Sequence, residues 1–378
     1  MTRARRDDGL AAVDARLRRV GVTAVAAEAE ELPHNHRLTA GVWRVRSRDG
    51  RRMVLKYLCA DREPGERVWD RHWTSGNRDP ERWNYWAREP LAYQHHLTDV
   101  YSAAGIRAPA CLGCLVDDRE ALLLLDWVDG EPGENWPIGA YGIAAEALGR
   151  AQAPLLDCRR NNEESWLSRG FLRQYSSEKP VDWDLLDDED AWQHPIVRDL
   201  FPPGLREDLV FVHANRERLY CINESLPQTL CHLDVWPKNL FRGTTGGLVL
   251  IDWGFVGRGA LGEDAGNLVP DACFDHFVAA EHLPDLDQVV FDGYLRGSRA
   301  AGWNDDPQLI RLGMWSSSVK YDWLGPFMLS LMRQERQYRY GGGGEIDGAF
   351  MFRERSRALQ FNAGWARSAL GLADDLGL

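Results

Sequence analysis

His232-Leu233-Asp234-Val235-Trp236-Pro237-Lys238-Asn239-Leu240-Phe241, joined through Gly246-Gly247 to Leu250-Ile251-Asp252-Trp253-Gly254, decides how the rest of the chain is read. The first stretch has the spacing H-x-D-x-x-x-x-N. The second is an apolar strand that ends on an aspartate, thirteen residues beyond Asn239. A turn at the glycine pair brings Asp252 back to Asn239. Phosphoryl transfer needs such a set: one carboxylate to orient a hydroxyl and accept its proton, an amide oxygen and a second carboxylate to hold magnesium on phosphates. The spacing predicts Asp234 for the first role and Asn239 and Asp252 for the second.

Upstream, Val42–Arg46 alternates as a strand, Arg48-Asp49-Gly50 is a hairpin turn, and Met53–Leu58 is the returning strand. That strand carries Lys56, one of only four lysines in the chain with Lys179, Lys238 and Lys320. A lysine there suits phosphate binding, and a helix glutamate is expected to hold it. Residues 86–100 read as a helix whose Glu89, directly before Pro90, sits near the helix start. The 33 residues between Lys56 and Glu89 leave Glu81 as the fallback. Residues 61–88 read as an inserted excursion, with six basic and six acidic side chains mixed with Trp69, Trp73, Trp83 and Trp86. Residues 8–20 form an amphipathic helix with Leu10, Val13, Leu17 and Val20 on one face and Asp7 or Asp8 as its cap.

Ala121–Leu125 is a fully apolar strand that runs into the turn-rich Asp126–Pro132. The lobe boundary is placed there, giving a smaller lobe 1–128 with the sheet and the insertion, and a larger lobe 129–378. Helical patterns follow at 138–152, 161–176, 204–220, 265–282, 286–302, 307–337 and 350–371, interrupted by a β-like island at 228–254 and a Gly341–Gly344 loop.

The bulk properties agree with a globular protein. The chain has 378 residues, 44% hydrophobic and 27% charged, with no apolar run long enough to span a bilayer. Met1–Asp8 is basic then acidic without an apolar stretch behind it, which is not a secretory signal, and a cytoplasmic protein is expected. Seven scattered cysteines suit a reducing compartment, and Cys111-x-x-Cys114 lacks the partners of a zinc site and reads as core thiols. The net charge of −12 arises entirely in residues 132–378, with 24 basic against 36 acidic side chains. That argues against a nucleic-acid partner and permits a cationic one.

These residues together resemble the aminoglycoside phosphotransferase and choline-kinase-like family over residues 30–270. Pro237 matches the proline three residues after the family's catalytic aspartate. Trp236 stands where protein Ser/Thr kinases usually carry lysine, and Asp252-Trp253-Gly254 replaces Asp-Phe-Gly. The resemblance implies an α+β, bilobal protein-kinase-like fold, with a small antiparallel-sheet lobe and a larger helical one. It implies ATP with Mg2+ as cofactors, GTP being the alternative nucleotide. Lys56 and Glu89 would grip the phosphates, and the Asp126 carbonyl and Val128 N–H would read the adenine edge. His232 and Asp264 would support the catalytic loop. No glycine-rich phosphate loop is present, so Pro33–Gly41 would have to cover the phosphates.

The resemblance also implies an acceptor in the larger lobe: a small molecule, cationic and aminoglycoside-like, held by acidic side chains. Asp184, Asp187 and Asp188 in the run 182–190, and Glu345 and Asp347, are the acidic candidates. Tyr321 and Trp323 are candidates to line the cleft. A kinase acting on Ser or Thr of a peptide and a nucleotide-binding pseudokinase are the alternatives. The oligomeric state, and a role in resistance or in biosynthesis, are not written in the sequence.

Overall fold

In the computed structural model, the described residues are all except 1–2, 24–25, 35–38, 62–67, 157–163, 245, 335–336 and 339–343. Asn35–Leu38 of the expected phosphate-covering stretch and Gly341–Gly343 of the glycine loop therefore lie outside the described residues. Helix α1 (Arg3–Arg19) precedes strands β1 (Ala26–Glu31), β2 (Thr39–Ser47) and β3 (Arg52–Cys59). The helix starts before Asp7 and Asp8, so those residues fall inside it rather than capping it. The β2–β3 hairpin turns where expected: Gly50 has φ 88° and its N–H donates to the Ser47 carbonyl at 2.9 Å. Glycine reaches that left-handed conformation without a Cβ clash.

Helices α2 (Val68–Thr74) and α3 (Arg88–Gln94) and the short β4 (Ile106–Arg107) lead to β5 (Cys111–Val116) and β6 (Glu120–Asp126). Five of these strands form one antiparallel sheet in the order β1-β2-β3-β6-β5. The run Ala121–Leu125 is apolar throughout because β6 is buried on both faces. Leu122 and Leu124 pack with Val13, Leu17 and Leu55 under α1, while Leu123 and Leu125 join the main core. Cys111 and Cys114 lie on the edge strand β5, exposed and half-buried respectively, rather than in the core.

Beyond Asp126 the chain continues in the larger lobe, which β4 has already joined by pairing with Leu248 and Val249. Strand β7 (Gly130–Pro132) is followed by α4 (Ile138–Gln152), α5 (Phe171–Ser177), α6 (Glu189–Gln193), α7 (Pro195–Leu200) and α8 (Leu205–Ser225). Then come β8 (Gln228–Cys231), β9 (Leu240–Gly243), β10 (Leu248–Leu250) and β11 (Gly257–Ala260). Helices α9 (Glu263–Phe274), α10 (Leu283–Ala300), α11 (Pro307–Ser316), α12 (Leu324–Leu331) and α13 (Gly348–Leu376) complete it. The expected α+β, two-lobed architecture is present. α4 and α10 pack so closely that a Cβ at Gly293 would strike the Gly142 carbonyl, which explains the glycines at that contact.

The predicted helix 161–176 is shorter than its pattern and begins only at Phe171. The predicted 307–337 helix is broken by a 3-10 turn at Ser317–Tyr321, where the Ser317 hydroxyl bonds back to the Met314 carbonyl at 2.7 Å. The excursion before Glu89 packs onto the larger lobe: Trp83 is fully buried against Phe171, Tyr175, Leu233 and Phe255. Among the described residues, no helix is long and apolar enough to cross a membrane.

Candidate active site

Lys56 lies in the middle of β3, flanked by Val42 of β2 and Leu123 of β6. Its Nζ is 2.8 Å from both Glu89 carboxylate oxygens and 3.0 Å from Asp252 Oδ1. Glu89, not Glu81, is thus the lysine's partner, and Glu81 is exposed. Glu89 sits in the first turn of α3 with Pro90 next to it. A first-turn N–H has no helical partner, so proline does not disrupt the helix there. Burial alone would lower the Lys56 pKa, but the Asp252 and Glu89 carboxylates outweigh it and hold the ammonium above its ordinary value. Burial pushes Glu89 upward while Lys56 pulls it down.

The stretch from His232 to Asn239 is shaped by Asp264 at the start of α9. Its carboxylate accepts the His232 and Leu233 backbone N–H groups, each at 2.7 Å. Gln152, fully buried at the end of α4, donates to the same carboxylate at 2.6 Å. Leu233 is thereby kept at φ 66°, a left-handed conformation costly for a branched side chain. Asp234 follows directly. The Asn239 amide Nδ2 donates to Asp234 Oδ2 at 2.8 Å and to the Asp234 carbonyl at 2.9 Å. Ile251 N–H donates to the Asn239 carbonyl at 3.0 Å, and His232 Nε2 donates to the Ile251 carbonyl at 3.0 Å. These bonds set Asp252 beside Asn239. Asp252 also has φ 66°, which turns it out of the strand end toward Lys56.

Burial pushes the Asp234 carboxyl up to about 7; Lys320 pulls it down, Asp252 and Asp271 push it up, and the Asn239 amide pulls it down. Burial holds His232 at about 4, so its ring is neutral and acts as a brace. The Asp126 carboxylate is occupied by Arg51 at 3.2 Å. Val128 lies in the connection from β6 to β7, where the chain passes from the five-stranded sheet to the sheet β4-β10-β9-β7.

Beside Asp234 opens a cavity of about 70 Å³. Tyr321 and Trp323 line it, and the Tyr321 hydroxyl donates to the Asn267 carbonyl at 3.3 Å. Asp184, Asp187 and Asp188 are not among its lining residues. Asp188 instead caps α6, accepting the Asp190 N–H at 2.9 Å, and the Asp187 carbonyl accepts from Arg206 at 3.0 Å. Asp347 caps α13, accepting the Phe350 N–H at 2.7 Å. Asp188 and Asp347 are thus drawn off by local capping, as aspartates before helices commonly are. The cavity's acidic groups besides Asp234 are Asp271 and Asp275 of the α9 end, which sequence reasoning missed, along with Lys320 and Arg355. No local pattern marks them. Gln152 was missed for the same reason.

A model of the phosphotransferase enzyme family matches residues 32–303. No curated protein matches the chain. Among solved structures, a spectinomycin phosphotransferase bound to AMP aligns over 95% of this chain and 98% of that one, with 12% identity and a TM-score of 0.51. An amicoumacin kinase in complex with AMP-PNP, Ca2+ and Ami aligns over 88% of each chain, with 11% identity and a TM-score of 0.48. An aminoglycoside phosphotransferase from Streptomyces rimosus, in complex with ADP and streptomycin, has 19% identity over 84% of this chain and 97% of that one, with a TM-score of 0.44.

Proposed function

We propose that this chain, which belongs to the phosphotransferase enzyme family, is an ATP- and magnesium-dependent kinase acting on a small-molecule hydroxyl, with Asp234 as its catalytic aspartate. The observation that carries the reading is the convergence of Lys56, Glu89 and Asp252 in one ion-pair set, with Asp252 held beside Asn239 and Asp234. A scaffold has no need of that arrangement, which favours an enzyme over a pseudokinase.

The residues fit a magnesium ion. The Asn239 amide nitrogen is turned to Asp234, so its oxygen is the atom left for a cation, and Asp252 adds a carboxylate. Among the described residues no group of three or more His, Cys, Asp or Glu is placed to hold a metal by itself. Two protein oxygens, completed by phosphates and water, suit magnesium, which prefers few protein ligands. When bound, the ion neutralises charge on the phosphates.

Lys56 would bind the nucleotide phosphates, with Glu89 fixing its direction. The Asp126 carbonyl and Val128 N–H would take the adenine edge. Asp234 would orient the acceptor hydroxyl and take its proton as the new P–O bond forms. The bond between the transferred phosphorus and the bridging oxygen breaks in the same step, and the nucleoside diphosphate leaves. A loose transition state asks little of the base, so Asp234 acts largely by positioning. The acidic walls that a cationic, aminoglycoside-like acceptor would use, Asp271 and Asp275, already face cations of the protein. The proposal therefore keeps the small-molecule hydroxyl and leaves out the positive charge.

The test is nucleotide turnover with magnesium and with chelator, in the wild type and in Asp252→Asn. Turnover that depends on magnesium and collapses in Asp252→Asn is expected. Equal turnover with chelator would contradict the metal assignment.

A further inference from the structure

The cavity beside Asp234 bears on the acceptor's chemistry, an inference that rests on Asp234 being the catalytic group. Its apolar wall consists of Tyr175, Trp236, Phe274, Tyr321, Trp323 and Leu324. The two carboxylates on the wall are matched by the protein's own cations. Asp271 Oδ2 lies 3.4 Å from Lys320 Nζ. Asp275 lies 3.5 Å from Lys238 and 3.9 Å from Arg355. Lys320 and Arg355 are themselves buried, so these pairs are internal fixtures rather than surface contacts. A carboxylate already facing a buried cation gives a second cation little net attraction. A polyamine entering here would still lose its hydration.

The wall offers a different polar handle. Trp236 stands two residues after Asp234, and its indole Nε1–H is buried with no hydrogen-bond partner among the described residues. An orphaned buried donor gains from any oxygen brought to it. The aromatic wall is also set firmly. Trp323 meets Trp69 at 5.6 Å and Phe327 at 5.6 Å between ring centroids. The Lys179 amine lies 5.1 Å from the Trp323 ring and 3.4 Å from the Tyr175 ring. The inserted segment thus backs the cavity from behind through Trp69. Rings held in this way suit a flat or alicyclic apolar body.

We propose that the acceptor is an uncharged or at most singly charged hydroxyl compound with an aromatic or alicyclic body, which packs on Trp323 and Phe274 and accepts a hydrogen bond from Trp236 Nε1. Trp236, Trp323 and the Asp271–Lys320 pair are then the specificity-determining groups. The pair excludes polycations, and the rings select the apolar body.

The test is a binding comparison by calorimetry, without nucleotide, at physiological ionic strength. Phenyl β-D-glucoside is the neutral ring probe and kanamycin the polyamine. The glucoside is expected to bind at least about tenfold tighter than kanamycin. Trp236→Phe, which removes the N–H together with the five-membered part of the ring, should weaken the glucoside about threefold to tenfold and leave kanamycin unchanged. Trp323→Ala should weaken the glucoside further. Should Trp323→Ala fail to fold, the half-buried Trp236→Phe still decides the matter. Tighter binding of kanamycin, no binding of the glucoside, or an unchanged Trp236→Phe each overturns the proposal. Binding is read without ATP, so this outcome is separate from the catalytic reading. Asp234→Asn that still transfers phosphate at the wild-type rate would sink the latter and leave the binding order standing.

Discussion

The Leu233 backbone N–H donates to Asp264 Oδ1 at 2.7 Å, and Leu233 is held at φ 66° directly before Asp234. Asp264 is fully buried, and burial raises its pKa while the His232 and Leu233 N–H groups lower it. Replacing it with asparagine turns one oxygen acceptor into a donor facing another donor. Asp264→Asn is therefore expected to lose about 2–4 kcal/mol of stability. It should also lose on the order of a hundredfold in kcat through misplacement of Asp234. Urea unfolding and steady-state kinetics check the two parts.

Lys56 and Glu89 make a second test. Lys56→Met removes the cation that the nucleotide phosphates would meet, and nucleotide affinity and kcat should both collapse. Glu89→Gln leaves Lys56 with Asp252 alone, so nucleotide affinity should weaken about tenfold with the fold intact. Calorimetry with a non-hydrolysable ATP analogue reads the difference. Equal affinity in Glu89→Gln and wild type would show that Glu89 does not orient Lys56 toward the nucleotide.

Arg88, adjacent to Glu89, is fully buried. It donates to the carbonyls of Trp166 at 2.9 Å, Trp83 at 2.7 Å and Pro80 at 3.0 Å. It ties the inserted segment to the larger lobe. Arg88→Met leaves those carbonyls unpaired and should cost about 3–5 kcal/mol, measured by chemical denaturation. Loss under about 1 kcal/mol would mean that the segment is held by its tryptophans instead.

Glu263 gives the pH dependence. Its carboxyl is buried in the fold and accepts the Ala260 N–H at 3.0 Å. Burial raises its pKa to about 8, against an ordinary value of 4.5. The folded state then binds more protons than the unfolded state between those values. The contribution to stability is present in full below about 4.5 and is lost as pH rises toward 8. Wild-type stability should fall by on the order of 2–4 kcal/mol across that window from this group. Glu263→Gln should flatten that part of the profile. Urea midpoints at several pH values read it, and an unchanged slope in the variant would refute the assignment.

What the sequence carried and what it did not follows from contact range. The set Asp234, Asn239 and Asp252 was legible because one hairpin joins it. Lys56 was legible because strand alternation and lysine scarcity single it out. Glu89 could only be ranked above Glu81, since the ion pair depends on how an unusual insertion folds. Lys320, Asp271 and Arg355 reach one cavity, and Gln152 reaches Asp264, from segments far apart in the chain, and no periodicity marks them. In the acidic run at 182–190, Asp182 and Asp188 cap the short helices that follow them, whatever lies nearby. The helix pattern over 307–337 misled because buried apolar spacing persists through the 3-10 turn at Ser317–Tyr321.

The central claim is that Asp234 orients the acceptor hydroxyl and receives its proton. The most direct measurement is phosphoryl transfer by Asp234→Asn, followed by the mass gain on the acceptor, with nucleotide binding measured on the same sample. Loss of at least about a thousandfold in turnover, with nucleotide affinity within about threefold of wild type, is the predicted result. Turnover near the wild-type rate would contradict it.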